Sequence, residues 1–417
     1  MTIQNCKVFK NINMRIIMYK TILITLICIG FINYSDAQTD SITFEKDSVV
    51  NISDRISNIL SDTLESQTMS LLFIGDIMGH GSQIRSAYDV KTKSYDYDTV
   101  FHYLKDVMSE PDFTIANLEV TLAGPVYKGY PQFSSPDALA EAGRDAGIDV
   151  FVTANNHSCD RRLQGINRTI DVLDTLRIKH IGTYKNQDVR DSTNLLILEK
   201  ESIRVGVLNY TYGTNGIPVP KPSVVNLIDR KIMKTDIDSA KNDSLDKLIV
   251  FVHFGSEYQS YPNSTQTSLV QYLFNKGADI VIGSHPHVIQ KMMYLPGNDS
   301  INENFVAYSL GNFVSNQRKT KTDGGVMARL VLKKENGKTF IEESNYILTW
   351  VYKKLRTGSI YDYYILPAKE YENNKAFFKS SVDYVKMKLY IKNSRALLDK
   401  GNLNVKEFES LSEDLNQ

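Results

Sequence analysis

Seven histidines occur in the chain, and two of them, His285 and His287, stand one residue apart in the stretch "DIVIGSHPHV", Asp279 to Val288. An apolar run ends there in a turn. His253 closes "LIVFVH" and His157 follows "DVFVTANN" in the same manner. Other apolar runs end in oxygen donors: Asp76 after "LLFIG", Asn117 and Glu119 in "ANLE", Glu257 in "HFGSEY" and Asn312 in "SLGNF". Neutral imidazole, carboxylate and amide oxygen together suit first-row divalent ions such as manganese, zinc or iron. No cysteine belongs to the set, which argues against a closed structural zinc site. His80, His102 and His180 are scattered singly and read as surface or packed residues.

Six groups, Asp76, Glu119, Asn156, His253, His285 and His287, are too many for one four-coordinate ion. They suit two divalent metal ions sharing a carboxylate. Such a pair, roughly 3.5–4 Å apart, stabilises attacking and leaving oxygens and makes water nucleophilic at neutral pH. With Pro286 stiffening the turn, His285 and His287 can each face a different ion. His157 directly follows Asn156 and is the candidate catalytic acid that protonates a leaving group. Asp160, its candidate partner, either holds the other ring nitrogen and fixes the tautomer, or caps a helix starting near Leu163. Asn117, Glu257 and Asn312 are the candidate substrate-binding groups.

Donors so far apart in sequence must be brought together by strands. The runs "SLLFIGD", "DFTIANLE", "DVFVTANNH", "IRVGVLNY", "LIVFVHFG", "ADIVIGSHPH" and "NFVAYSLGN" are apolar throughout, as strands covered on both faces are. Helical patterns lie between several of them: "DTVFHYLKDVM", "PDALAEAGRDAG", "GINRTIDVLDTL" and "QTSLVQYLFNKGAD". Pro136 suits the first turn of the second, and Gly147 and Gly277 sit where helices end. The alternation predicts an α/β domain over residues 69–352, with functional groups gathered beyond the carboxyl ends of its strands. Antiparallel strands are expected around the Asn336-Gly337 turn. Residues 353–417, rich in Lys, Tyr and Glu, read as a helical C-terminal extension without chemistry of its own.

Lys+Arg and Asp+Glu both total 48 among the 417 residues, which gives no bulk field for nucleic acid. Near the start, Lys7, Lys10, Arg15 and Lys20 precede the apolar run "TILITLICIGFI". Twelve helical residues rise only about 18 Å, short of a bilayer core of roughly 30 Å. Basic region, apolar run and the small residues Ser35-x-Ala37 match a secretory signal over residues 1–37, with an uncleaved membrane anchor as the alternative. Residues 38–68 read as a polar linker. Export is the expectation, to the periplasm or cell surface. Removing the signal leaves Cys159 alone, so no disulfide framework exists, and Cys159 is expected to pack.

With these residues in hand, the chain resembles the CapA family of poly-γ-glutamate capsule biosynthesis proteins, from about Met69 to Tyr352. "GDIM", "ANLE", "TANNHSCD", "HFGSEY", "GSHPHVIQ" and "SLGNF" carry the resemblance in order. That family looks like a branch of the calcineurin-like metallophosphoesterases, which implies a four-layer α/β/β/α sandwich with a dinuclear centre between its sheets. The resemblance assigns Asp76 and His287 to one metal and Asn156, His253 and His285 to the other. It puts Glu119 at the bridging position and His157 at the catalytic histidine. The wider superfamily opens with Asp-x-His, whereas this chain has Asp76-Ile77-Met78; His80 either substitutes or lies at the surface. Two functions follow. One is a metal-dependent hydrolase of phosphoesters or γ-glutamyl amides. The other is a non-catalytic accessory that binds poly-γ-glutamate or another anionic polymer beside its membrane synthase.

Overall fold

The structure is a computed structural model that describes residues 67–297 and 303–409. The expected signal and nearly all of the expected linker lie outside the described residues. The first strand, Gln67–Ile77, already includes Gln67 and Thr68, which the linker was expected to hold.

Two sheets organise the chain. The larger has nine strands, with Gln67–Ile77 at its centre. On one side this strand pairs in parallel with Phe113–Leu118, followed by Val150–Val152 and Lys179–Ile181. On the other side run the antiparallel strands Gly324–Glu335, Lys338–Thr357 and Ile360–Pro367. The smaller sheet has six strands. Its parallel centre is Ile203–Thr211, Lys247–His253, Ile280–Ser284 and Asn304–Ala307. The α/β class expected from the alternation is borne out.

Apolar runs without polar alternation demand cover on both faces, and the packing supplies it. One core cluster joins the facing sheets, with Leu71, Phe73, Ile115 and Val152 of the larger against Val205, Val207, Phe251 and Ile282 of the smaller. A second packs the larger sheet's Leu72, Ile74 and Phe151 against Phe101, Leu139 and Leu173. A third packs Val250, Val252 and Val281 against Met233 and Ile237 of helix Arg230–Ala240 and Leu269 and Leu273 of helix Ser264–Lys276.

Two glycines let the site-bearing segments approach. A Cβ on Gly75 would lie 2.1 Å from the Gly311 carbonyl oxygen, and one on Gly283 would lie 2.1 Å from that of Tyr308. The segment from Tyr308 to Asn312 therefore passes hard against the ends of strands from both sheets.

Several expectations need correction. The sheet does not end at residue 352: Lys338–Thr357 and Ile360–Pro367 form a hairpin through Gly358. Its charged and tyrosine residues are partly exposed on an edge hairpin, so the change in composition marked a solvated surface, not a change of element. Helix begins only beyond it, at Ala368–Tyr371 and Ser381–Gly401. The latter buries Met387, Tyr390, Ile391 and Leu398 in the cluster shared by the sheets. "DTVFHYLKDVM" divides into two short helices, Asp98–Phe101 and Lys105–Ser109. Between them Tyr103 packs against Tyr364, Tyr371 and Phe377, away from the buried Phe101 and Leu104. Pro136 lies just outside its helix, Ala138–Asp145.

Candidate metal centre

Every segment that ends in a donor ends on the same side of its sheet. Asp76 is the penultimate residue of its strand, and Asn117 is its Cα partner on the neighbouring strand. His253 is the last residue of Lys247–His253 and pairs with Ser284, the last of Ile280–Ser284. The turn after Ser284 presents His285 and His287 with left-handed backbone, φ 100° and 58°. Non-glycine residues adopt that region at a cost of order 1–3 kcal/mol each, so the surrounding packing holds this turn in place.

The donors converge in two groups that share Glu119. Glu119, His253 and His285 each bring a ligand atom within 4.8 Å of the others, and so do Asp76, Glu119 and His287. Asn156 Oδ1 joins the first group, 2.9 Å from His253 Nε2. The Nδ1 of His287 lies 3.2 Å from Asp76 Oδ2 and 3.1 Å from Asn312 Oδ1. Asn117 donates its amide to Asp76 Oδ1 at 2.8 Å, and its Nδ2 lies 3.3 Å from His253 Nδ1. Asn312 is fixed in turn by donating to the Thr322 carbonyl at 2.8 Å.

Glu119 decides what this arrangement is for. It is fully buried, and neither carboxylate oxygen has a hydrogen-bond partner among the described residues. Its nearest cationic candidates, His253 Nε2 and His287 Nε2, stand 3.6 and 3.9 Å away. Burial, and then the charge of Asp76, pushes the Glu119 carboxyl well above its ordinary range. Burial beside other imidazoles drives His253 well below the ordinary histidine range, and His285 down to about 3. His285 Nδ1 also lacks a hydrogen-bond partner among the described residues. A charged carboxylate left unpaired in the interior costs several kcal/mol, and neutral imidazoles are the metal-binding form. A cation at this point would resolve both, so the residues present fit divalent metal.

Asp160 settles on one of its two readings. Its Oδ2 lies 2.7 Å from His157 Nδ1 and accepts the Phe133 N–H at 2.7 Å. Helix Arg162–Thr175 has Arg161 as its N-cap and no side-chain cap. Phe133 meets the His157 ring edge-on at 4.7 Å. Glu257 is not brought into the cluster; it is exposed on the turn after His253. His80 is half-buried on Gln83 and the Asn316 N–H, with burial lowering it to about 4, and it stands in neither donor group. Cys159 is buried and packs, its thiol pushed up to about 11 by burial.

Sequence reasoning missed Tyr212 and Ser284. The Tyr212 ring lies 4.6 Å from that of His285 and stacks on His253 at 6.4 Å, and Ser284 Oγ is 2.8 Å from His253 Nδ1. The available signal was position: Tyr212 sits one residue beyond a strand whose last residue, Thr211, pairs with His253.

Residues 70–317 match the family model described as bacterial capsule synthesis protein PGA_cap. The chain belongs to that family. The CapA resemblance carried by the six motifs is thus borne out. This PGA_cap chain is 25% identical over 289 residues to the capsule biosynthesis protein CapA of Bacillus anthracis, covering 67% of each. With the PGA biosynthesis protein CapA of Bacillus subtilis it shares 27% over 282 residues, 65% of this chain and 70% of the relative. The solved calcineurin-like phosphoesterase YfkN from Bacillus subtilis covers 68% of this chain and 90% of its own, at 14% identity and a TM-score of 0.38. Among the described residues, no helix is long and apolar enough to cross a membrane.

Proposed function

We propose that the protein is an exported, metal-dependent hydrolase of phosphoester or γ-glutamyl amide bonds that works in capsule or poly-γ-glutamate biosynthesis. The observation that carries the reading is Glu119, whose buried and unpartnered carboxylate joins two donor groups. Asp76, Glu119 and His287 would hold one divalent ion, and Glu119, Asn156, His253 and His285 the other. Such ions supply charge stabilisation at the equatorial oxygens and an activated water nucleophile.

The chain's own residues do the rest. Asn117 and Asn312 orient Asp76 and His287 through the contacts described above. Asp160 accepts the proton-bearing Nδ1 of His157, which leaves Nε2 as the atom that delivers a proton to the departing alcohol or amine. The bond to phosphorus or carbonyl carbon breaks, water adds its hydroxyl to that centre, and the leaving oxygen or nitrogen departs protonated.

One observation favours a second reading: both curated relatives are named for biosynthesis, not for hydrolysis. A polymer-binding accessory of a membrane synthase would use the same donors without turnover. The experiment is metal analysis of the purified chain, then assay of the stripped and remetallated protein on an aryl phosphodiester and on γ-glutamyl peptides. Hydrolysis that needs Mn²⁺ or Zn²⁺ is the expected outcome. Full metal occupancy with no turnover on either class would replace the hydrolase by the accessory.

A further inference from the structure

Asn156 has two polar ends, and the centre described above uses one of them. Its Oδ1 faces the donor group of His253 and His285, 2.9 Å from His253 Nε2. The other end, Nδ2, donates to Asn215 Oδ1 at 3.2 Å. An amide ligates a cation through its oxygen, because its nitrogen carries only donors. With Oδ1 given to an ion, the N–H groups of Asn156 need an acceptor, and residues behind metal ligands commonly supply one.

Asn215 sits on a turn that is fastened to both segments bearing these ligands. The Tyr212 N–H donates to the His253 carbonyl at 3.0 Å, just where the loop leaves strand Ile203–Thr211. The turn over residues 214–217 closes with the Ile217 N–H on the Thr214 carbonyl at 2.9 Å and the Thr214 hydroxyl on the Ile217 carbonyl at 2.6 Å. Ile217 packs against the cluster of Ala154 and Cys159, which flank Asn156 in sequence. The central residues, Asn215 and Gly216, both have positive φ, 51° and 74°. That is the pattern of a type I′ turn, for which Asn-Gly is a preferred pair. Turn chemistry alone would take Gly or Asp at 215 as readily. It does not account for the side chain, which leaves an exposed position to meet the amide of a metal-donor residue.

We propose that Asn215 is a positioning residue of the metal centre. It accepts the Asn156 N–H and so holds the amide with its oxygen toward the ion bound by His253 and His285. The inference rests on the divalent-metal reading of the site and is independent of which bond is hydrolysed.

The test is calorimetric titration of Mn²⁺ into the stripped full chain, read at the binding step that Asn156→Ala weakens. Asn215→Gly removes the acceptor and keeps the turn, because glycine adopts positive φ freely. It should weaken that step by about tenfold. Asn215→Asp keeps both acceptor and turn and adds negative charge near the cation, so it should bind at least as tightly as wild type. Asn156→Asp supplies the discriminating background. A carboxylate has two equivalent oxygens and no N–H, so Asn215→Gly made in that chain should cost less than about threefold. The full loss in both backgrounds would mean that Asn215 only shapes the loop, and would overturn the inference. Wild-type affinity in Asn215→Gly, weakened affinity in Asn215→Asp, or Asn156→Ala leaving every step unchanged would overturn it too. Those outcomes leave the hydrolase reading in place, whereas a wild-type chain that takes up neither Mn²⁺ nor Zn²⁺ would bring down both.

Discussion

The strand Lys247–His253 has a buried ionisable cluster at each end, and the two are built on opposite rules. At its start, Lys247 Nζ lies 3.0 Å from Glu303 Oε1, and Glu303 also accepts the Tyr294 hydroxyl at 2.7 Å and the Ile341 N–H at 2.5 Å. Asp279 Oδ2 beside it accepts the Leu248 N–H at 2.7 Å. At its finish, Glu119 beside His253 is equally buried, and its carboxylate has no hydrogen-bond partner among the described residues. The first cluster completes itself from the chain's own groups, as buried ions in a stable interior must. The second leaves room in its chemistry for the cation proposed above. Burial of an ionisable group therefore does not by itself mark a functional site; the mark here is a buried carboxylate without a partner among the described residues, set between histidines.

Breaking the open end should cost chemistry. His157→Ala is expected to slow turnover of an aryl phosphodiester by about 10²–10⁴-fold while metal analysis shows unchanged content. Loss of metal together with activity would mean that His157 is a ligand and not a proton donor. Breaking the closed end should cost the fold instead. Glu303→Ala leaves Lys247 with only Asp279, 3.9 Å away, and is expected to lower unfolding free energy by about 3 kcal/mol in urea titrations, with metal content of the folded fraction intact.

The contrast sharpens in chelated protein. Because the folded-state value of Glu119 lies above its unfolded value of 4.5, the native state holds the proton more tightly. Stability contributed by that proton is complete below the unfolded value and is lost as pH rises toward the folded one. Thermal melts of the chelated wild type should fall over that window, and those of Glu119→Gln should lose that component. With divalent ion added the order reverses, and wild type becomes the more stable; an unchanged order would sink the metal-bridging role. The smallest effect is expected at the rim. Tyr212→Ala removes a ring contact that is commonly equivalent to about 0.5–1.5 kcal/mol, so metal affinity should weaken between two- and about tenfold.

Much of this was legible in the residues. Apolar runs ending in donors located the strands, because burial on both faces leaves only the ends for chemistry, and Asp76, Glu119, Asn156, His253, His285 and His287 converge there. What failed was governed by surroundings that a one-dimensional pattern does not contain. The hairpin ending at Pro367 is an edge whose outward residues are polar, so its composition matched a solvated helix as well as a strand. Asp160 sat equally well as a cap or as a histidine partner until Phe133 and His157 were seen to meet the same oxygen. Glu257 shared a motif with His253, but the turn between them carries it to the exposed side. Tyr212 belongs to no donor type and was recognisable only from its place beside His253.

The bent backbone at His285 and His287 has a bearing on how the pocket fills. Folding meets much of the expense of shaping that turn, since the Tyr258 N–H donates to the Pro286 carbonyl at 2.8 Å and the Phe254 N–H to that of Ser284 at 3.0 Å. An emptied pocket should accordingly keep its form and reload without a slow rearrangement, as a socket does and a closing hand does not.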